Sequence, residues 1–173
     1  GHMNIAMTAR PTPLLDKLTT ELTAMAQRGD TTPLLGRDDV LDQIFSTLSS
    51  QLGNVLLVGD PGCGKSEILR GIAQLMASED VPQMLQDKRF LRLDPGSLIA
   101  GAEGVGGIEG RLKGMINEVM RAGNVFLAIE DIHHLLGASS TGSSEDAGAM
   151  LMNALSEGAL KLIATTTAQE FAQ

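Results

Sequence analysis

Residues 59–66 read GDPGCGKS, directly after the apolar run NVLLV (54–58) and directly before a helical pattern through SEILRGIAQLMAS (66–78). The stretch fits G-x-x-x-x-G-K-[S/T] between a strand and a helix, the setting in which that spacing carries chemistry. Gly59, Gly62 and Gly64 let the backbone curl so that successive amides converge on phosphate oxygens. The following helix points its positive end at the same place. Lys65 can reach the β- and γ-phosphates, and the Ser66 hydroxyl can coordinate Mg²⁺. A Gly-rich turn with a chance match is the competing interpretation, and the flanking strand and helix disfavour it. Cys63 occupies a variable position of the loop. A helix N-terminus can lower a thiol pKa, but a small tolerated side chain is the simpler account.

Outward from this loop, strands alternate with helices. RFLRLD (89–94), NVFLAIE (124–130) and LKLIATT (160–166) read as further strands beside NVLLV, which reads as short and buried. IEGRLKGMINEVMRAG (108–123) and EDAGAMLMNALSEG (145–158) read as helices, the first stopped by Gly123. Upstream, residues 12–29 predict one helix, capped by Thr12, opened by Pro13 and ended by Gly29, with Leu14, Leu15, Leu18, Leu22 and Met25 on its apolar face. A second helix is expected from Asp38 to Leu52, with Val40, Leu41, Ile44 and Leu48 inward. Residues 100–107 and 137–144 read as Gly- and Ser-rich loops. The alternation predicts an α/β fold with a parallel sheet covered on both faces.

The 173 residues suit one domain with a real core. Aromatic residues are scarce (four Phe, no Tyr, no Trp), so Leu, Ile, Val, Ala and Met must fill it. Thirteen basic and twenty-one acidic residues give a net charge of −8, which repels phosphate backbones and disfavours a nucleic-acid partner. The missing aromatic stacking residues disfavour it too. Cys63 is the only cysteine, which excludes an internal disulfide and fits a reducing, cytoplasmic compartment. No apolar run approaches a membrane span. The leading GHM reads as a cloning remnant, and residues 1–11 as tag and flexible arm.

A second chemical candidate is FLAIED, where an apolar strand ends in Glu130 and Asp131. Alone, the pair reads as two solvated acids at a strand end. Beside a phosphate loop it gains another reading, in which one carboxylate holds the shell of Mg²⁺ and a neighbouring group positions the attacking water. His133 and His134 have no Cys or acidic cluster at zinc-ligand spacing, so a structural or polar-contact role is expected of both.

Taken together, LLGRDDVLDQI (34–44), LLVGDPGCGKSEILRGIAQ (56–74), LDPGSLIAGA (93–102), EGRLKGMINEV (109–119), AIEDIHHLLGA (128–138), DAGAMLMNAL (146–155) and IATTTAQEF (163–171) resemble the first nucleotide-binding module of Clp-type AAA+ chaperones and unfoldases. The resemblance implies a P-loop NTPase fold, a three-layer αβα sandwich with a mainly parallel sheet. It implies residues 12–173 as the large subdomain, without the C-terminal helical lid. Gly36, Arg37 and Asp38 then lie near adenine, while Asp60, Pro61, Gly62, Cys63, Gly64, Lys65 and Ser66 form the phosphate loop. Ser66 and Glu130 are the implied metal ligands. Glu130, Asp131 and Thr166 are the implied catalytic set, with Thr166 a polar sensor near the γ-phosphate. ATP or ADP and Mg²⁺ are the implied cofactors. The implied activity is ATP hydrolysis to ADP and phosphate, coupled in a hexameric ring to the unfolding or remodelling of polypeptides, with a peptidase as a further partner.

Three departures bear on that activity. The family has Asp then Glu at the acid pair, and this chain has Glu130 then Asp131. Adjacent strand residues face opposite sides, so the two cannot simply exchange duties. The shorter Asp131 is expected to sit too far from the water, and about 1 Å of misplacement costs roughly 10²-fold. The family's pore loop carries an aromatic where this chain has Glu103, Gly104 and Val105. No arginine follows Thr166 to act as a finger worth about 10³–10⁵ in rate. The expectation is a fragment of a longer protein, nearly inactive alone and monomeric or weakly associating. The alternative is a degenerate module that binds nucleotide to assemble or regulate a ring without threading substrate.

Overall fold

The computed structural model describes residues 11–29, 38–50, 53–60, 64–101, 107–136 and 143–171. Among them, β2 (Val55–Val58), β3 (Arg89–Leu93), β4 (Val125–Ile129) and β5 (Leu162–Thr166) run parallel, and β1 (Thr19–Glu21) pairs antiparallel with β3. The sheet order is β1-β3-β4-β5-β2. β4 (VFLAI) and β5 (LIATT) are buried along their whole length because helices cover both of their faces, whereas β3 (RFLRL) leaves Arg89 and Arg92 part-exposed. No helix of the described residues is long and apolar enough to cross a membrane.

Strand alternation divides the core in two. Leu91, Leu93, Leu127, Ile129 and Leu162 face α1 (Pro13–Leu18), α5 (Pro95–Ile99), α6 (Gly107–Ala122) and α8 (Ser143–Ser156). Phe90, Phe126, Ala128 and Ile163 face α2 (Leu22–Gln27), α3 (Asp38–Leu48) and α4 (Lys65–Ala77). Phe90 and Phe126, register partners on β3 and β4, stack with ring centroids 4.6 Å apart. On α3, Leu41, Ile44 and Leu48 are buried as the sequence predicts, and Phe45 joins them. The Lys161 ammonium gathers the carbonyls of Leu48, Ser50 and Gly53 at 2.9, 3.1 and 3.0 Å, closing the end of α3. Burial pushes its pKa down.

The helix expected over residues 12–29 is broken into α1, β1 and α2. The helical apolar period is present, but its residues serve two cores. Leu15 and Leu18 lie on one side of the sheet, Leu22 and Met25 on the other. β1 carries the chain around the edge, and the paired β-branched Thr19 and Thr20 suit that extended step. Arg89 of β3 fixes the crossing. Its guanidinium pairs with Glu21 and reaches Asp16 at 3.1 Å and the Thr12 hydroxyl at 2.9 Å. Burial opposes the charge on Arg89, but the bonds and charges of Glu21 and Asp16 outweigh it and raise the pKa.

The Thr12 hydroxyl therefore does not cap α1; it donates to Asp16 at 2.9 Å. The capping acceptor comes from far along the chain. Buried Glu118 of α6 accepts the amides of Leu14 and Leu15 at 3.0 and 2.9 Å. A second correction concerns β2. It is an edge strand, so Leu56 and Val58 remain 44% and 42% exposed while Val55 and Leu57 pack inward.

Replacing Glu118 with Ala leaves the part-buried amide of Leu14 and the buried amide of Leu15 without their acceptor. The expected result is a loss of about 1–3 kcal/mol in unfolding free energy, read from the urea midpoint. An unchanged midpoint would refute the remote cap.

Candidate nucleotide-binding site

The parallel strands all end at one margin of the sheet, where open α/β folds place their ligands. β2 runs out through Gly59, whose amide still donates to the Thr166 carbonyl at 3.2 Å. The chain re-enters at Gly64, whose φ of +93° favours glycine, and α4 starts at the next residue. The Lys65 ammonium folds back onto the carbonyls of Gly59 and Asp60, at 2.6 and 3.1 Å. Pro61, Gly62 and Cys63 lie outside the described residues, as do Gly36 and Arg37; Asp38 opens α3.

Two strands away, β4 stops at Ile129, so Glu130 and Asp131 belong to a turn rather than a strand. Alternation therefore does not send them to opposite faces. Asp131 has a left-handed backbone (φ +53°), which redirects the chain into α7 (Ile132–Leu136). Its amide donates to the buried Thr165 hydroxyl of β5 at 2.9 Å. Ser66 donates its hydroxyl to Glu130 Oε1 at 3.0 Å. That bond joins the first turn of α4 to the acid that follows β4.

A cleft of about 540 Å³ opens between these two walls. Gly64, Lys65, Ser66, Glu67 and Arg70 line one side. Glu130, Asp131, His133 and His134 line the other, with Thr165 and Thr167 between them. Lys65, Ser66, Glu130 and Asp131 are thus brought together as the sequence suggests. Thr166 is placed differently. It is buried, with its hydroxyl 2.9 Å from His133 Nδ1, and the residues on either side of it face the cleft. The His133 and His134 rings meet edge to face, 4.3 Å apart. Thr165, Thr167, Glu67 and Arg70 are cleft residues that the motif did not single out. Period-2 alternation around Thr166, and the four-residue step from Ser66 to Arg70, are the signals that point to them.

The donor set suits a hard cation held together with phosphate. Mg²⁺ takes one or two protein oxygens and completes its shell with water and phosphate. The Ser66 hydroxyl and the Glu130 carboxylate, 3.0 Å apart, are the two described oxygens that would be within reach of one such ion.

The loop expected to bear Glu103, Gly104 and Val105 lies outside the described residues. Its near end is fastened by Arg111, whose guanidinium donates to the carbonyls of Leu98 and Ala100 at 3.1 and 2.6 Å.

The sequence profile of the ATPase family associated with various cellular activities (AAA) matches residues 55–171. The ATP-dependent Clp protease ATP-binding subunit ClpC of Staphylococcus aureus (strain USA300) is 40% identical over 161 residues, covering 92% of this chain and 20% of ClpC. ClpC of Staphylococcus epidermidis (strain ATCC 12228 / FDA PCI 1200) is similar to the same extent. Among solved structures, Hsp104 with ATPγS and FITC casein superposes with a TM-score of 0.81 at 35% identity, over 92% of this chain and 28% of that one. The Saccharomyces cerevisiae Hsp104–ADP complex gives 0.80 at 35% identity, over 91% and 27%. The chain spans about a fifth of the length of the curated relatives it matches. With these matches over most of its length and its mainly parallel sheet, the chain belongs to the AAA family of ATPases, as a Clp/Hsp100-like module.

Proposed function

We propose that this module takes ATP or ADP with Mg²⁺ in the cleft between α4 and the turn after β4. The supporting observation is the Ser66–Glu130 bond, which brings the two oxygen donors together one residue from Lys65. In this reading the start of α4 and Gly64 receive the phosphates. Lys65 exchanges the loop carbonyls for phosphate oxygens, and residues 36–38 lie near adenine. Ser66 and Glu130 hold the metal, which when bound offsets charge on the β- and γ-phosphates. Asp131 faces the position of the attacking water. Thr166 acts through His133, while Thr167 faces the cleft directly.

Turnover by the chain alone is slow in this reading. Asp131 is one methylene shorter than the family's Glu, and its backbone direction is fixed by Thr165. ClpC is an ATP-binding subunit of an ATP-dependent Clp protease, and Hsp104 has been seen with casein. By that likeness we extend the proposal to a parent protein that remodels polypeptides as a hexameric ring, with a peptidase as a further partner. The second reading, a module that binds nucleotide to regulate a ring, is favoured by the order of Glu130 and Asp131.

Saturating Mg-ATP at about 100 times its Kd is expected to raise the unfolding free energy by about 2.7 kcal/mol. Lys65→Ala should remove most of that gain. No thermal shift at millimolar ATP would count against the site. For the acid pair, the double variant Glu130→Asp, Asp131→Glu in the parent chain separates the readings. A gain approaching 10²-fold in phosphate release supports the regulatory one, and an unchanged rate supports a pair already competent as it stands.

A further inference from the structure

The cleft holds a cation that the phosphate-loop motif does not account for. Arg70 lies on α4 four residues after Ser66, about one turn further along the same face. Ile68, Leu69, Ile72, Ala73 and Met76 turn inward to the core, whereas Arg70 is exposed and lines the cleft. Among the described residues it makes no hydrogen bond and no ion pair, although Glu67 sits one turn before it and Glu130 and Asp131 line the facing wall.

Helix side chains lean back toward the N-terminus. The Arg70 Cα is about 6 Å beyond that of Ser66 along the axis, and an extended arginine stem spans about 6 Å. An Arg70 side chain extended in that direction would reach the level of the Ser66 hydroxyl, within the cleft that both residues line. A triphosphate brings more negative charge than Lys65 and one divalent cation offset. A planar guanidinium suits phosphate oxygens with two parallel hydrogen bonds.

Resting on the nucleotide reading above, we infer that Arg70 is an in-chain cation for the terminal phosphate, and so a residue that makes this cleft prefer ATP to ADP. A role confined to the fold predicts no such preference, because a merely structural arginine would affect both nucleotides alike.

The test measures Mg-ATPγS and Mg-ADP binding by calorimetry to the 173-residue chain and to its Arg70→Ala and Arg70→Lys variants. Arg70→Ala is expected to weaken ATPγS roughly tenfold and ADP by less than about twofold. Arg70→Lys, which keeps the charge but not the fork, should fall between. Equal losses for both nucleotides, or none for either, would overturn the inference while leaving the nucleotide site in place. A parent sequence that binds neither nucleotide would instead overturn the site itself, and the inference with it. Unchanged melting temperatures of the ligand-free variants exclude misfolding as the cause.

Discussion

The bond from Ser66 to Glu130 links the helix that follows β2 to the turn that follows β4, two strands that are not neighbours. β5 lies between β2 and β4, so the bond requires all three to run parallel and to end within about two residues of one another. The register delivers this: Val58 pairs with Thr166, and Ile129 pairs with Ala164. A slip of one residue in either pairing would send every side chain of the shifted strand to the opposite face. The buried runs of β4 and β5 thus do more than fill the interior. They hold a hydroxyl and a carboxylate from distant parts of the chain within hydrogen-bonding reach.

β5 also contributes directly. Thr165 ties down the amide of Asp131, and Thr166 meets the ring of His133. A left-handed non-glycine residue costs about 1–3 kcal/mol and persists where its surroundings over-determine it. At Asp131 the constraint is visible on both sides: a buried hydroxyl holds its amide, and its carbonyl accepts the His134 amide at 2.9 Å to begin α7. The direction of the second acid is therefore set by the neighbouring strand as well as by its own side-chain length.

Much of this was legible in the sequence because local signals and fold agree there. The apolar run before GDPGCGKS and the helical period after it are β2 and α4, and the strand–helix alternation gives the class of sheet. The failures have a common cause in contacts distant along the chain. The apolar spacing over residues 12–29 is helical on paper, yet nothing local reveals that Leu18 and Leu22 belong to opposite faces. Glu118 caps α1 across a gap of more than a hundred residues, which no capping pattern encodes. Strand alternation does not reach the two acids, because β4 ends one residue before them, at Ile129. NVLLV looks buried because a four-residue aliphatic run carries no mark of its place in the sheet.

That last strand has a bearing on how the molecule behaves in solution. Along its outer margin β2 pairs with no strand among the described residues, and Leu56 and Val58 stand in water beside its backbone groups. Such a margin is a template on which a further extended segment can add, from the same polypeptide or a foreign one. Its brevity and the chain's surplus of negative charge oppose self-association. Crowding and high ionic strength, which screens that repulsion, are accordingly the conditions under which this face governs solubility.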